Sequence, residues 1–483
     1  MNWEGWKGVM AVAAFLIFVP LIGLIVLNLP FGFLRRFAFA YALTLAACQA
    51  ALAIFLPLPL WNRVLMPFFG LETLPLSVDH LSIVLLLSVA ITMLAALPVG
   101  YFAARGANRR FEFVCLAVLA VSGMNGIAMV HDLFSLYVFI EVTTVSCFVL
   151  IALARDKDGL EGGFKYLVLS AVASAAMLTA IALLLMTSGS TSFMAVRAML
   201  EGNSSIMAKL SIAVFVVGLF IKGGVVPFHG WLPDAYTAAP AGVTVLMAGI
   251  ATKTTGVYIL IRLFVSVFGK VPHIQSVLLF AGALTIVVGA VAAFGQKDFK
   301  RMLAYSSISQ MGYIVLSLGA GSALGIAGAV FHLFNHAVFK SQLFVNAAAV
   351  EEQTGTRDMD TMGGLSARMP VTGATSVVAF LSTAGVPPLA GFWSKLIIVI
   401  AVWNSGNRAY AVISVLACLL TCAYFLSMQR RVFFGALVQQ FSQIQEARLP
   451  FLLPEMALTL ITIGVGVFFP RVLNTFILQV RAF

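Results

Sequence analysis

Residues 221–240 read IKGGVVPFHGWLPDAYTAAP and lie between two strongly apolar runs. Gly223 and Gly224 loosen a helix, and Pro227 and Pro233 lack the amide hydrogen that a continuous helix would use. The segment therefore predicts a helix that breaks at membrane depth. Broken backbone is tolerated there only inside protein or beside a water-filled cavity, so this stretch points to a functional interior.

The composition of the whole chain supports a membrane location. Of the 483 residues, 61% are hydrophobic and only 10% are charged, which excludes a water-soluble globular domain. Apolar runs recur as far as the C-terminus. Because roughly 20 apolar residues cross a bilayer as a helix, we predict an all-α polytopic membrane protein with about fourteen transmembrane helices.

The net charge of +11 does not indicate a nucleic-acid partner, because the basic residues are divided unevenly between alternate loops. One side of the predicted membrane has Arg35, Arg36, Arg105, Arg109, Arg110, Arg155, Lys157, Lys165, Lys297, Lys300, Arg301, Arg357, Arg368, Arg430, Arg431 and Arg448. The other side has Lys7, Arg63, Arg197, Lys209, Lys270, Arg408, Arg471 and Arg481. An excess of about two to one marks the cytoplasmic face. We expect a multi-pass protein of the inner (cytoplasmic) membrane with both termini outside.

Five basic residues fall inside apolar segments instead: Lys222, Lys253, Arg262, Lys340 and Lys395. Arg262 lies far enough along its helix, VYILIRLF, for its charged end to reach the membrane surface, and we expect it to do so. A lysine near the middle of a bilayer costs roughly 2.5 to 3.5 kcal/mol. Four such lysines need partner charges or water to offset this cost, so their presence indicates a function.

Other titratable residues share this situation. Glu141 lies in the apolar segment FSLYVFIEVTTVSCFVLIAL, and we predict that it forms an ion pair with Lys222. His332, His336 and Lys340 are spaced i, i+4, i+8, which aligns them on one face of a helix. Histidine and desolvated lysine both exchange protons near neutral pH, so this composition indicates a proton relay.

A bound metal is the competing use of the paired histidines. No nearby carboxylate or cysteine completes a zinc ligand set, and we find no motif for a nucleotide, haem or iron-sulfur cofactor. We therefore predict that the chain binds no cofactor and no metal.

A second apolar segment is also interrupted by glycine and proline and predicts another broken helix. The stretch STAGVPPLAGFWSKLIIVI, residues 382–400, places Pro387 and Pro388 in mid-segment, followed by Lys395. Two interrupted segments in corresponding positions indicate a transporter built from repeats. Because the breaks are five predicted helices apart, we predict two inverted five-helix repeats, each containing a broken helix. The predicted units are an N-terminal three-helix segment (1–110), the two repeats (111–270 and 271–435) and a C-terminal helix (436–483).

The residues 222–262, KGGVVPFHGWLPDAYTAAPAGVTVLMAGIATKTTGVYILIR, together with FNHAVFK and GVPPLAGFWSK, resemble a known family. It comprises the antiporter-like proton-pumping subunits of complex I, Mrp cation/proton antiporters and membrane-bound group 4 hydrogenases. The chain looks most similar to the Mrp-D and hydrogenase branch. The resemblance implies a proton relay through Glu141, Lys222, Lys253, His332, His336, Lys340 and Lys395.

The resemblance also implies the surroundings of the chain. We expect other membrane subunits, including further antiporter-like ones, and redox partner subunits, with protons as the transported ions and sodium as a further candidate. The chain would be a transport subunit without a redox site of its own, in a pump driven by a hydrogenase or by NADH or ferredoxin oxidation. The alternatives are the D-type subunit of a stand-alone Mrp antiporter, a quinone-binding membrane anchor and a solute carrier.

Overall fold

The computed structural model of the protein describes residues 3–56, 64–68, 71–202, 205–269 and 271–480. Arg63, Lys270 and Arg481, which the sequence assigns to the less basic side, lie outside the described residues.

The described chain is helical almost throughout, as its composition predicts. The first helices are α1 Trp3–Leu27, α2 Ala38–Phe55, α3 His80–Ala103, α4 Ala107–Met129, α5 Leu133–Ile151, α6 Lys157–Ser188, α7 Phe193–Gly202, α8 Ile206–Gly223, α9 Trp231–Ala238, α10 Ala241–Leu246 and α11 Ile259–Leu263. The remaining helices are α12 Pro272–Phe294, α13 Phe299–Gly319, α14 Ala323–Thr354, α15 Pro370–Ala384, α16 Ala390–Asn404, α17 Arg408–Val432, α18 Leu449–Val467 and α19 Phe469–Val472.

The all-helical fold also contains one short β-hairpin. Strands β1, Val64–Phe68, and β2, Leu71–Leu76, pair antiparallel in the connection between α2 and α3. A further bridge joins Leu76 to Val130, at the end of α4. The pairing satisfies backbone donors and acceptors in a connection where no helix does so.

Ten helical segments of the described chain are long and apolar enough to cross a membrane. They are Leu34–Phe55, His80–Ala103, Ala107–Met129, Leu133–Ala154, Lys157–Ser188, Ile206–Gly223, Ala241–Phe268, Pro272–Phe294, Arg408–Val432 and Leu449–Val467. Shorter apolar helices span Phe15–Leu27, Pro370–Ala384 and Ala390–Asn404. Helices α13 and α14 have the length but carry many buried polar residues, which lower their hydropathy.

Both predicted breaks are present. Helix α8 ends at Gly223 and α9 begins at Trp231, while α15 ends at Ala384 and α16 begins at Ala390. In each case the residue after the first helix, Gly224 or Gly385, is left-handed, with φ of 65° or 89°. Glycine adopts this conformation without steric cost, which is why it ends helices so often.

Two elements form the interior on which the candidate site is built. The segment α10–α11, Ala241–Phe268, is buried over its whole apolar length. The long helix α14 packs against α3, α10, α13, α15, α16 and α18. The polar side chains of α14 from His332 to Asn346, and those of the α10–α11 segment from Thr244 to Arg262, are therefore buried within the protein.

Candidate functional site

The predicted pair of Glu141 and Lys222 is present where α5, α6 and α8 meet. The ammonium of Lys222, whose side chain is 1% exposed, lies 3.3 Å from Glu141 Oε1. It also donates to Thr144 Oγ1 at 2.8 Å, and Ser174 Oγ donates to Glu141. The side chain of Glu141 is one third exposed, so the pair is buried at Lys222 and accessible at Glu141.

The break after α8 positions Lys222 in this pair. Lys222 occupies the last turn of α8, and the amide of Val225 closes that turn on the carbonyl of Phe220 at 2.9 Å. Trp231 Nε1, at the start of α9, donates to the carbonyl of Ile221 at 3.0 Å. The broken helix thus satisfies its freed carbonyls internally, as membrane depth requires.

Lys253 lies in the α10–α11 segment between two π-helical turns, Met247–Ala251 and Thr254–Tyr258. Its side chain is fully buried, and its ammonium donates to Tyr236 Oη at 3.2 Å. Tyr236 in turn donates to Thr252 Oγ1 at 2.7 Å. Within the described residues Lys253 has no carboxylate partner. π-Turns inside α-helices are frequent at functional sites, and here they flank Lys253, a residue of the predicted relay.

His332, His336 and Lys340 are all fully buried in α14. His332 Nδ1 lies 3.0 Å from Ser394 Oγ, and the Lys340 ammonium donates to Ser306 Oγ at 2.7 Å. Neither ring nitrogen of His336 has a hydrogen-bond partner in the described part of the chain. On α14, His336 lies about one turn from His332 and one turn from Lys340, between the two.

Lys395 connects the second break to this stripe. Its ammonium donates to the carbonyl of Thr383 at 2.7 Å, in the last turn of α15, and so bridges the break. The same nitrogen lies 4.5 Å from the centre of the Tyr313 ring, which is 5.8 Å from the His332 ring. The Tyr313 ring therefore contacts both the Lys395 ammonium and the His332 ring.

The structure brings the predicted residues into one interior, although direct hydrogen bonds do not join all of them. In the described chain no hydrogen bond links Lys222 to Lys253, or Lys253 to the α14 stripe. Transfer across these intervals needs water or side-chain rotation.

The prediction for Arg262 was wrong. Its side chain is fully buried, and its guanidinium forms a bidentate pair with Asp79, at the start of α3. Nη2 of this guanidinium, which donates to Asp79 Oδ1, also donates to Ser82 Oγ and to Tyr258 Oη, each at 2.8 Å. The guanidinium of Arg262 stays buried, and the side chain of its partner Asp79 is 45% exposed, so the pair is accessible only at the carboxylate.

The ion pair of Arg262 and Asp79 also shifts the pKa of the titratable groups near it. Burial alone would raise the pKa of Asp79, but the Arg262 charge and its hydrogen bonds outweigh it and hold that pKa below the usual range. Burial, and then the Arg262 charge, lowers the pKa of His131 to about 4. His131 is therefore neutral near pH 7.

Sequence reasoning missed several residues of the site. Thr144 and Ser174 bind the Glu141–Lys222 pair, and Tyr236 binds Lys253. Asp234 pairs with Lys165 at 2.7 Å and with Arg301 at 2.8 Å. Asp234 and Tyr236 both belong to the stretch WLPDAY, whose density of polar groups was the available signal.

Among the described residues, no group of three or more His, Cys, Asp or Glu side chains could hold a metal ion.

Comparison with known proteins places this geometry in context. Residues 130–421 match the family described as NADH:quinone oxidoreductase/Mrp antiporter, transmembrane. NADH-quinone oxidoreductase subunit N of Desulforudis audaxviator is 32% identical over 93% of each chain. The D-type subunit of the Na(+)/H(+) antiporter of Alkalihalophilus pseudofirmus is 32% identical over 74% of this chain and 73% of its own.

Solved structures show the same fold. A chain of the Mrp complex from Dietzia sp. superposes with a TM-score of 0.88 at 22% identity, covering 97% of this chain and 96% of that one. A chain of the membrane-bound sulfane sulfur reductase, an archaeal respiratory membrane complex, superposes with a TM-score of 0.83 at 29% identity. That match covers 94% of this chain and 76% of the other.

Proposed function

Because the chain belongs to the NADH:quinone oxidoreductase/Mrp antiporter transmembrane family, as an antiporter-like membrane subunit, we propose that its buried charged residues carry protons across the membrane. One observation carries the proposal. Lys253 and Lys340 are fully buried and bind only hydroxyls and a carbonyl among the described residues, without a carboxylate. Such lysines are expensive to keep charged, and a lysine that changes charge easily can pass on a proton.

The proposed path begins at Glu141 and Lys222. A proton that binds Glu141 neutralises it and leaves the Lys222 charge without its partner. Lys222 then gives up a proton more readily, and that proton moves to Lys253 through water or side-chain rotation. Charge on Lys253 disfavours charge on Lys340, because like charges repel strongly in a dry interior. This repulsion drives a proton along α14 through His336 and His332 toward Lys395.

The membrane arrangement belongs to the same proposal. It has fourteen transmembrane helices, counting the ten long apolar spans, α1, α13, α14 and the broken helix α15–α16. In this arrangement 111–270 and 271–435 form the two inverted repeats. Residues 1–110 and 436–483 flank them. The matching left-handed glycine at each break supports the repeats. The basic loops lie on the cytoplasmic side and both termini lie outside.

We place the chain in a larger complex of the inner membrane, together with other membrane subunits. The similarity to subunit N supports a complex in which partner subunits perform redox chemistry and drive the pump. The similarity to the D-type antiporter chain supports the alternative, a cation/proton antiporter of the Mrp type. The co-purifying partners distinguish the two. Iron-sulfur subunits among those partners identify the first arrangement, and small membrane subunits alone identify the second.

Substitution of Lys253 tests the relay in membrane vesicles that contain the whole complex. Lys253→Ala removes the titratable group, and Lys253→Arg keeps a charge that cannot be released near neutral pH. We expect both to abolish proton translocation at matched expression, with assembly retained. Lys209→Ala and Lys209→Arg, at the exposed start of α8, are the matched controls and retain it. Near-native translocation by Lys253→Arg would mean that a fixed positive charge suffices, and the relay would be wrong.

A further inference from the structure

A second buried carboxylate lies outside the relay described above. Glu455 is in the apolar helix α18, and its side chain is fully buried. Its oxygens lie 3.2 Å from Thr375 Oγ1 and 3.5 Å from Thr372 Oγ1, both on α15. Unlike Glu141, it forms no ion pair with a basic residue of the described chain. A buried carboxylate surrounded by neutral groups is costly when charged, so Glu455 favours the protonated form.

One hydroxyl group connects Glu455 to the surface. Thr372 Oγ1 donates to Glu446 Oε1 at 2.9 Å and lies between the two carboxylates. Glu446 is partly exposed, in the connection that leads into α18, and also accepts from the amide of Val371 at 2.7 Å. Arg448 follows it, so this access point lies on the basic-rich face.

On its inner side Glu455 meets a polar stripe on α14. Asn346 Nδ2 donates to Thr375 Oγ1 at 2.9 Å, and Gln342 Nε2 donates to Thr459 Oγ1 at 2.6 Å. Farther along α14, Asn335 Nδ2 donates to the carbonyl of Ala390 at 3.0 Å. Ala390 begins α16 at the second break, about one turn before Lys395.

The acceptor ends of this stripe have no protein partners. Asn346 Oδ1, Gln342 Oε1, Asn335 Oδ1 and Thr462 Oγ1 are buried without a hydrogen bond in the described chain. Buried polar atoms are nearly always satisfied by protein or by ordered water. These four atoms lie along the seam of α14, α15 and α18, and satisfying them requires side chains to rotate or water to enter the seam.

We propose that Glu455 is a proton carrier on a second access path, which runs from Glu446 along the seam of α14, α15 and α18 to the break beside Lys395. The inference rests on the proposed function, because it supplies protons to the same relay. The Thr372 hydroxyl accepts a proton from Glu446 and releases its own to Glu455. Glu455 then gives its proton to water that enters along the amide stripe, whose free carbonyl oxygens would hold that water. Each carboxyl group returns to its starting state with no oxidation or reduction.

Three variants in the complete complex, reconstituted into vesicles, test the path. Glu455→Gln keeps the shape but cannot carry a proton, Glu455→Asp keeps a carboxyl group, and Thr372→Val interrupts the link to Glu446. We expect Glu455→Gln and Thr372→Val to slow translocation about tenfold, less than the roughly hundredfold typical of a positioned acid or base because the Glu141 route remains. The loss should be greatest at high pH on the basic face, and Glu455→Asp should restore most of the rate. Glu201→Gln, an exposed carboxylate of α7, is the matched control.

Infrared spectroscopy of the same complexes supplies a readout that does not depend on transport. The native complex should show a protonated carboxyl band that Glu455→Gln removes and Thr372→Val retains. An unchanged rate and pH profile in Glu455→Gln, or no loss of the band, overturns the second path. If Lys253→Ala still abolishes translocation in that case, the proposed function stands without it. If Lys253→Arg transports normally, the relay falls, and the band and the Glu455→Gln rate still decide whether Glu455 carries protons.

Discussion

At the scale of single residues, the buried cations fall into two groups. Arg262, Lys222 and Lys300 have carboxylate partners, whereas Lys253, Lys340 and Lys395 bind hydroxyl or carbonyl oxygens. A cation in a buried pair is held in its charged form, and one bound to neutral oxygens is free to lose its proton. Arg262 is therefore structural, and Lys253, Lys340 and Lys395 are suited to proton transfer. In the proposed path Lys222 joins them only when Glu141 is protonated.

The ion pair of Arg262 gives a prediction about stability. Asp79→Asn leaves the Arg262 guanidinium buried without a counter-charge. Because the Asp79 side chain is 45% exposed, we expect the loss of stability to be smaller than the about 3 to 5 kcal/mol of a fully buried pair. Because the pKa of Asp79 is lowered in the fold, the contribution of the pair is fully present above the usual aspartate pKa and is lost as the pH falls from there through the lowered pKa of the folded protein. Thermal unfolding in detergent measures both effects.

A double variant separates charge from packing. Asp79→Leu combined with Arg262→Met removes both charges, and we expect it to recover much of the stability that Asp79→Asn loses. An Asp79→Asn protein that melts like the native one would show that the pair does not hold α3 to the α10–α11 segment.

At the scale of elements, the broken helix and the π-helical segment meet through two glycines. A Cβ added to Gly256 would lie 2.4 Å from the Cα of Gly223 and 2.7 Å from its nitrogen. Both atoms are backbone, so they cannot move aside as a side-chain end could. This contact holds the last turn of α8, and with it Lys222, against the helix that carries Lys253.

The close contact predicts a strong effect from a single methyl group. Gly256→Ala must push α8 away from the α10–α11 segment, at a cost of about 1 to 3 kcal/mol. We expect translocation to fall more than assembly does, because Lys222 shifts relative to Glu141 and Lys253. Gly464→Ala on α18 is the matched control, since a Cβ there meets open space. Equal translocation by the two alanine variants would contradict this account.

At the scale of the whole molecule, one carboxylate joins the two halves of the chain. Asp234, in α9 after the first break, pairs with Lys165 of the first half and with Arg301 of the second. Arg357 reinforces the junction by donating to the carbonyl of Thr237 at 2.6 Å. A change in the first break can therefore be transmitted to the second half through fixed polar contacts.

Asp234→Asn tests this junction. Partly exposed ion pairs contribute only about 0 to 1 kcal/mol each, so we expect the melting temperature to change little. Translocation should fall clearly, because the two halves lose their charged link. Asp158→Asn, an acidic residue in the first turn of α6, should leave both properties unchanged. Native translocation in Asp234→Asn vesicles would exclude Asp234 as a coupling residue.

The sequence by itself determined the features that depend on local composition. Helix is the way for a single apolar segment to satisfy its backbone in a bilayer, so the helical fold was predictable from hydropathy. The same apolar background made Lys222, Lys253, Lys340, Lys395 and Glu141 stand out, and glycine and proline located both breaks.

Only the tertiary structure decided which groups meet. Asp79 and Arg262 are 183 positions apart, and no local pattern relates them. The π-turns around Lys253 and the hairpin of β1 and β2 also escaped prediction. Glu455 was overlooked because it lies near a helix end, where a carboxylate usually reaches water. Its burial comes from the packing of α14 and α15 around it, since the charge state of a side chain depends on neighbours that the chain assembles from distant segments.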